Sequence, residues 1–259
     1  QLGGSDPADL ARCARWAQDW AYDEVNLNCG CPSDRVQSGM FGACLMQDPG
    51  LVAECVSALK SASTLPVTVK HRTGIDQQDD YDRFAGFAAA QLEAGAESLI
   101  VHARNAWLQG LSPKQNREIP PLKYAWVYRL KRDFPDCEII INGGINSLDQ
   151  CLEHLQQVDG VMLGREPYRN PFILSDVDPV IFNESQLDVP DRITLLHRMY
   201  PYIESQLGQG LPLTRVVRHL IGLFHGEPNG RRWRRFISEN AYRKNAGIET
   251  LQQAERLLN

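Results

Sequence analysis

A chain of 259 residues, 43% hydrophobic and 23% charged, is long enough to bury a sizeable core and fits one barrel-sized domain with a small appendage. It carries no long apolar run and no signal-peptide pattern, so the reading is a soluble protein with no membrane contact. The formal net charge of −5 hides a split: residues 191–259 hold 11 Lys+Arg against 6 Asp+Glu, whereas residues 1–190 hold 16 against 26. An acidic body with a basic tail points the tail toward a polyanion, although a basic helix face is more often merely solvated.

In chain order, Asp6–Ala21 has amphipathic helical spacing, with Ser5-Asp6-Pro7 as cap and first turn. Glu24–Asn28 reads as a strand in which Val25 and Leu27 alternate with Asn26 and Asn28, and Gly30 and Pro32 then break the ladder around Cys31. Helical spacing returns at Pro49–Ser61 and Tyr81–Ala94, and strand patterns at Val67–His71, Ser98–Val101, Glu138–Asn142 and Gly160–Leu163. The long segment from Asn105 to Tyr124, rich in Pro, Lys and aromatics, is of the length that usually serves function. Strand–helix alternation with apolar strands implies a parallel sheet. This many units in succession favour a TIM (β/α)₈ barrel over a doubly wound sheet, and no Gly-x-Gly-x-x-Gly follows a strand. Residues 167–190, with Pro167, Pro171, Pro179 and Pro190, read as a linker. Helical periods alone follow, at Ile193–Leu207, Pro212–Leu223, Arg231–Lys244 and Thr250–Leu258. The expected division is a barrel domain over 1–180 and a small C-terminal helical domain over 191–259.

Seven cysteines, an odd number without zinc-type pairs, fit reduced thiols in a cytoplasmic protein and no metal centre. An arbitrary cysteine is most often a buried small residue. Cys31 departs from that pattern because it lies between Gly and Pro at a strand's carboxyl end, the active face of a parallel barrel. Such barrels bind phosphate after their last two strands, where this chain has Asn142-Gly143-Gly144-Ile145 and Gly164-Arg165. Glycines there let backbone N–H groups approach an anion, and Arg165 adds charge-assisted hydrogen bonds. Gly143-Gly144 alone reads equally well as a tight turn; the two motifs together break the tie. Lys70 near the end of an apolar strand is costly unless it faces a ligand. Arg231, Arg232, Arg234 and Arg235 share a helical stretch, with Arg215, Arg218 and Arg243 on neighbouring ones, a pattern for phosphate contacts in which Trp233 and Phe236 face the domain core.

The run Gly30-Cys31-Pro32-Ser33, continued through Gly39-Met40-Phe41-Gly42-Ala43-Cys44-Leu45, resembles the signature of the tRNA-dihydrouridine synthases. Gln1-Leu2-Gly3-Gly4-Ser5-Asp6-Pro7, Pro66-Val67-Thr68-Val69-Lys70, Val101-His102-Ala103-Arg104, Asn142-Gly143-Gly144-Ile145 and Leu163-Gly164-Arg165-Glu166 recur in that family's order along nearly the whole chain. Ala106–Lys114 with Asn116–Leu122 resembles the DusA-like branch, which acts on the D-loop around position 20.

The resemblance implies a flavoprotein that uses FMN, with NADPH as reductant, to saturate the C5–C6 bond of a uridine in tRNA. Hydride goes to C6 and a proton from Cys31 to C5, a role that needs the thiol rather than the thiolate. It implies that Lys70, His102 and Gln1 face the flavin ring, that Asn142, Gly143, Gly144, Gly164 and Arg165 complete the cofactor site, and that Asn28 orients the uracil. The base must leave its stack to reach the pocket, so a tRNA-sized surface is needed, for which Lys114, Arg117, Arg231, Arg232 and Arg234 are the candidates. Family members begin with two further strands, so the chain is expected to be N-terminally truncated, opening inside the third. Two competing readings stand beside this one. A flavin barrel acting on a free pyrimidine has no use for the basic tail, and an RNA-binding remnant would have lost its flavin.

Overall fold

The structure is a computed structural model and describes residues 1–33, 39, 41–78, 80–185 and 191–258. The glycine-rich motif at 34–38 and 40, and the end of the expected linker at 186–190, lie outside the described residues. The described residues form two compact units, one of residues 1–145 and 150–162, the other of residues 146–149 and 163–259.

The first unit holds a five-stranded, all-parallel sheet in the order β1 (Val25–Cys29), β2 (Val67–Arg72), β3 (Ser98–His102), β4 (Glu138–Asn142) and β5 (Gly160–Met162). The sequential order means that every crossover steps to the neighbouring strand, as in a repeated βα unit. The helix α1 (Pro7–Asp19) precedes β1, and the crossovers carry α2 (Pro49–Ala62), α3 (Tyr81–Glu93), α4 (Tyr124–Asp133) and α5 (Leu148–Leu155). Their starts follow from local chemistry. The Asp6, Asp48 and Asp80 carboxylates accept N–H groups of the first turns of α1, α2 and α3, and Pro follows the first two caps directly. The expected strands, and the helices expected at α1, α2 and α3, match within a residue or two at each end, while α4 and α5 are not among the expected helices.

Register separates the two sheet faces. Val25, Leu27, Val67, Val69, Leu99, Val101, Ile139 and Ile141 point one way and are at most 2% exposed, forming the core beneath the helices. Cys29 and His71 end that same face, and His71 lies between the rings of Phe84 and Phe87 of α3. The opposite face carries the polar residues, with Ile100 and Ile140 continuing the row of Lys70. Asn26, Thr68 and Ser98 form its first row, Asn28 and Lys70 stand opposite each other in the second, and Arg72, His102 and Asn142 are in register at the carboxyl ends. The alternation in Val-Asn-Leu-Asn-Cys therefore separates a helix-covered face from the face that carries Asn26, Asn28 and Lys70.

The second unit is helical: α6 (Glu166–Arg169), α7 (Val177–Ile181), α8 (Arg192–Gly208), α9 (Leu213–Val217), α10 (Gly230–Asn240) and α11 (Ile248–Glu255). Its core gathers Leu196, Ile203, Leu213, Val217, Leu223, Phe224, Trp233, Ile237 and Leu251, with Trp233 fully buried against Phe224 and Phe236 packed partly buried beside it. Two expectations differ from this arrangement. The segment expected to be linker forms α6, a 3-10 stretch Pro171–Asp176 and α7, and it groups with the helical unit, so the division falls at 162–163 rather than at 180–191. The reason is Arg192, which donates to Asn170 Oδ1 at 3.1 Å and lays its guanidinium 4.4 Å from the Phe172 ring. The helix expected over Pro212–Leu223 stops at Val217, and the chain then turns through Gly222 and Gly226. A Cβ at Gly222 would run into the Arg169 carbonyl, and Gly226 has φ +82°.

Candidate functional site

Most of the polar side chains expected at the strand ends converge. Lys70 Nζ donates to Asn142 Oδ1 at 3.1 Å, and Asn142 Nδ2 donates to the Met162 carbonyl at 2.7 Å, so the amide is oriented from both sides. Burial, aided by the neighbouring Arg72 charge, draws the Lys70 ammonium down to about 8. The His102 imidazole lies against Gly143, where a Cβ would come within 3.1 Å of the ring. Gly143 and Gly144 have φ of +113° and +78°, backbone that L side chains rarely adopt. Gln1 is exposed; its amide nitrogen donates to Asn26 Oδ1 at 2.6 Å, and Asn26 passes the chain on to Thr68 Oγ1 at 2.8 Å.

The thiol loop is built by short-range bonds. Asn28 Oδ1 accepts the Gly30 N–H at 3.1 Å, which bends the chain directly after β1. Cys31 is partly exposed, with Sγ 3.5 Å from Ser33 Oγ and its carbonyl accepting from Ala43 N at 2.9 Å. Cys29, two residues earlier, is wholly buried on the helix-covered face, and burial pushes its thiol far above the ordinary range. The two cysteines thus have different surroundings: two residues apart they would share a face on a continuing strand, and the bend at Gly30 separates them.

The sequence reasoning missed Arg72. It is 4% exposed, and its guanidinium donates to the carbonyls of Gly30 (2.9 Å), Asn105 (3.2 Å) and Asn116 (3.0 Å). It therefore clamps the backbone next to Cys31 to the long loop after β3. Asn116, fully buried, ties that loop to itself by accepting from Trp107 N and donating to the carbonyls of Trp107 and Leu111. Lys114 and Arg117, on either side of it, are exposed on this anchored loop. The available signal was Lys70-His71-Arg72: three cationic-type residues cannot end an apolar strand unless they are sent to different faces and partners.

Gly164 and Arg165 are exposed and fall in the second unit, with Arg165 at the start of α6. Arg231, Arg232 and Arg234 are exposed on α10, and Arg235 beside them pairs with Glu239 at 2.7 Å. Among the described residues no group of three or more His, Cys, Asp and Glu could hold a metal ion, and no helix is long and apolar enough to cross a membrane.

The polar strand-end face fits a flavin. A partly buried ammonium and an imidazole offer hydrogen-bond donors to a heteroaromatic ring, beside a Gly143-Gly144 turn where a Cβ would meet the His102 ring or Leu122 and Tyr124. A parallel β/α sheet with a thiol, an ammonium and an imidazole at the carboxyl ends of its strands defines an α/β enzyme whose chemistry sits at that edge. Over residues 1–259 the chain matches the model of the dihydrouridine synthase (Dus) family, and it belongs to that family. It is 55% identical over 254 residues to a tRNA-dihydrouridine(20/20a) synthase of Xanthomonas axonopodis pv. citri, covering 98% of this chain and 75% of that protein. Similar figures hold for the proteins of that name from Vibrio cholerae (54% over 255 residues, 98% and 78% covered) and Escherichia coli K12 (55% over 259 residues, 100% and 75% covered).

Proposed function

We propose that this chain reduces uridine to 5,6-dihydrouridine in the D-loop of tRNA, at position 20 or 20a, as an FMN-dependent enzyme with NADPH as the electron donor. The observation that carries the reading is the polar strand-end face in a chain 55% identical to tRNA-dihydrouridine(20/20a) synthases along its whole length. The sheet is read as part of a (β/α)₈ barrel, since its five parallel strands run in sequential order.

Bound and reduced, the flavin supplies a hydride to C6 of the uracil. The chain's own residues do the rest. Lys70, held by Asn142, would supply the cation that offsets negative charge on a reduced flavin. In the first unit, His102, Gln1, Asn142, Gly143 and Gly144 would complete the set that holds the cofactor. Cys31 donates its thiol proton to C5, so C5–C6 becomes a single bond, with one hydrogen from each side of the reaction. Arg72 holds the Gly30 carbonyl and so fixes the loop from which that thiol is presented. Asn28 orients the uracil, and Lys114, Arg117 and the exposed arginines of α10 take tRNA phosphates, which lets the base be drawn out of its stack.

The test is direct: the purified chain is incubated with NADPH and with tRNA from cells lacking dihydrouridine, and the digested tRNA is weighed by mass spectrometry. A gain of two mass units on one D-loop uridine, with flavin absorbance in the protein, is expected. Flavin bands with no tRNA product, but with turnover of a free pyrimidine, would favour a small-molecule oxidoreductase instead.

A further inference from the structure

We propose that Tyr124 is the positioning residue of the Gly143-Gly144 turn: by holding the Gly143 carbonyl it aims the Gly144 N–H at the phosphate of the cofactor. The inference rests on the flavin reading above and adds to it a residue that lies outside the expected cofactor set. Tyr124 opens α4, and its hydroxyl donates to Gly143 O at 2.6 Å. The peptide between Gly143 and Gly144 is trans, so its C=O and N–H point in opposite directions. A carbonyl pinned on the tyrosine side therefore sends the Gly144 N–H to the other side. Gly144 is exposed, and among the described residues its N–H has no partner, which leaves that donor available to an anion.

The tyrosine is itself tightly placed. A Cβ at Gly144 would come within 3.0 Å of the Tyr124 hydroxyl and 2.8 Å of Leu122 Cδ1, at a φ of +78° that L side chains rarely adopt, so the turn favours glycine here. His154, buried from solvent, meets the Tyr124 ring edge-on at 4.5 Å between centroids, and the His154 Nδ1 is 2.7 Å from the Tyr128 hydroxyl. Burial lowers the pKa of His154 and raises that of Tyr124, so the imidazole stays neutral and the phenol keeps its proton to donate. Two tyrosines and a histidine thus form a rigid backing behind a turn whose glycines would otherwise be free to flip. A pre-oriented donor spends no reorganisation when the anion arrives.

The experiment titrates the flavin-free chain with FMN and with riboflavin, which differ only in the phosphate, following quenching of flavin fluorescence in wild type, Tyr124→Phe and Tyr128→Phe. Tyr124→Phe is expected to weaken FMN about tenfold and riboflavin less than twofold, so the preference for FMN collapses. Tyr128→Phe, which removes a hydroxyl that touches no glycine, is expected to keep most of the preference. An FMN-to-riboflavin ratio in Tyr124→Phe equal to that of wild type, whether both affinities hold or both fall, would overturn the assignment. Wild type that binds neither ligand would instead overturn the flavin reading and the inference with it.

Discussion

Lys70 and Asn142 stand on β2 and β4, two strands apart, and their side chains meet at 3.1 Å across the row that carries His102. The contact places an ammonium in a partly buried setting with a neutral amide rather than a carboxylate as its partner. Such a charge is unsatisfied electrostatically until an electron-rich ligand arrives.

That arrangement makes Lys70 a stability reporter. Burial lowers its value from 10.5 to about 8, so between those limits the unfolded chain binds more protons than the native one, and native stability rises with pH. The gain is present in full above 10.5 and is lost as pH falls through 8. Urea unfolding of the flavin-free chain at pH 7 and pH 9.5 is expected to show wild type gaining about 1–2 kcal/mol relative to Lys70→Met over that interval. Parallel behaviour of the two proteins would show that the ammonium is solvated after all.

The two cysteines of the thiol motif should separate cleanly. Cys31→Ala is expected to retain flavin and lose most dihydrouridine formation, because the proton source for C5 is gone. Cys29→Ala is expected to keep most activity and lose about 1 kcal/mol of stability, since its buried sulfur packs under the helices. Mass spectrometry of digested tRNA and a denaturant titration check the pair. Full activity in Cys31→Ala would remove it as the acid.

Arg72→Met should cost about 3 kcal/mol, because three carbonyls, two of them buried, lose their donor at once. Arg72→Lys should recover little of it, as a single ammonium cannot span a fork that reaches Gly30, Asn105 and Asn116 together. Limited proteolysis should find the loop containing Asn116 first. Lysine restoring wild-type stability would mean that charge alone matters at this position.

How far the sequence could be read depends on which link carried each feature. The strands were legible because β-branched runs such as Val67-Thr68-Val69 and Ile139-Ile140-Ile141 are long enough to fix both period and end. The polar face was legible in Asn26 and Asn28, which could not be buried beneath helices at no cost. The helical character of residues 166–181 was not, since four prolines between 167 and 190 mimic a linker, yet Pro167 and Pro171 sit in the first turns of short helical stretches where a missing N–H costs nothing. Arg72, Asn116 and Tyr124 stayed hidden for another reason. Arg72 and Tyr124 act on carbonyls 42 and 19 residues away, and Asn116 bonds within an irregular loop, so no periodic spacing encodes these partners.

The arginines of α10 offer the sharpest test of the RNA surface. Arg231, Arg232 and Arg234 are exposed, while Trp233 and Ile237 between and after them are buried, so the helix is fixed by its apolar side and its cations are available to solvent or to phosphate. Arg235 is left out of the variant because Glu239 already neutralises it. If the three arginines touch tRNA, replacing all three with alanine should weaken tRNA binding at every salt concentration and lower the slope of log K against log[salt] by about 2–3, because each lost phosphate contact releases fewer counterions. Flavin content should stay at the wild-type level, as the cofactor residues are untouched. Filter binding of tRNA between low and physiological salt measures both quantities. An unchanged slope would show α10 to be a solvated basic face and would move the RNA contact to Lys114 and Arg117 on the anchored loop.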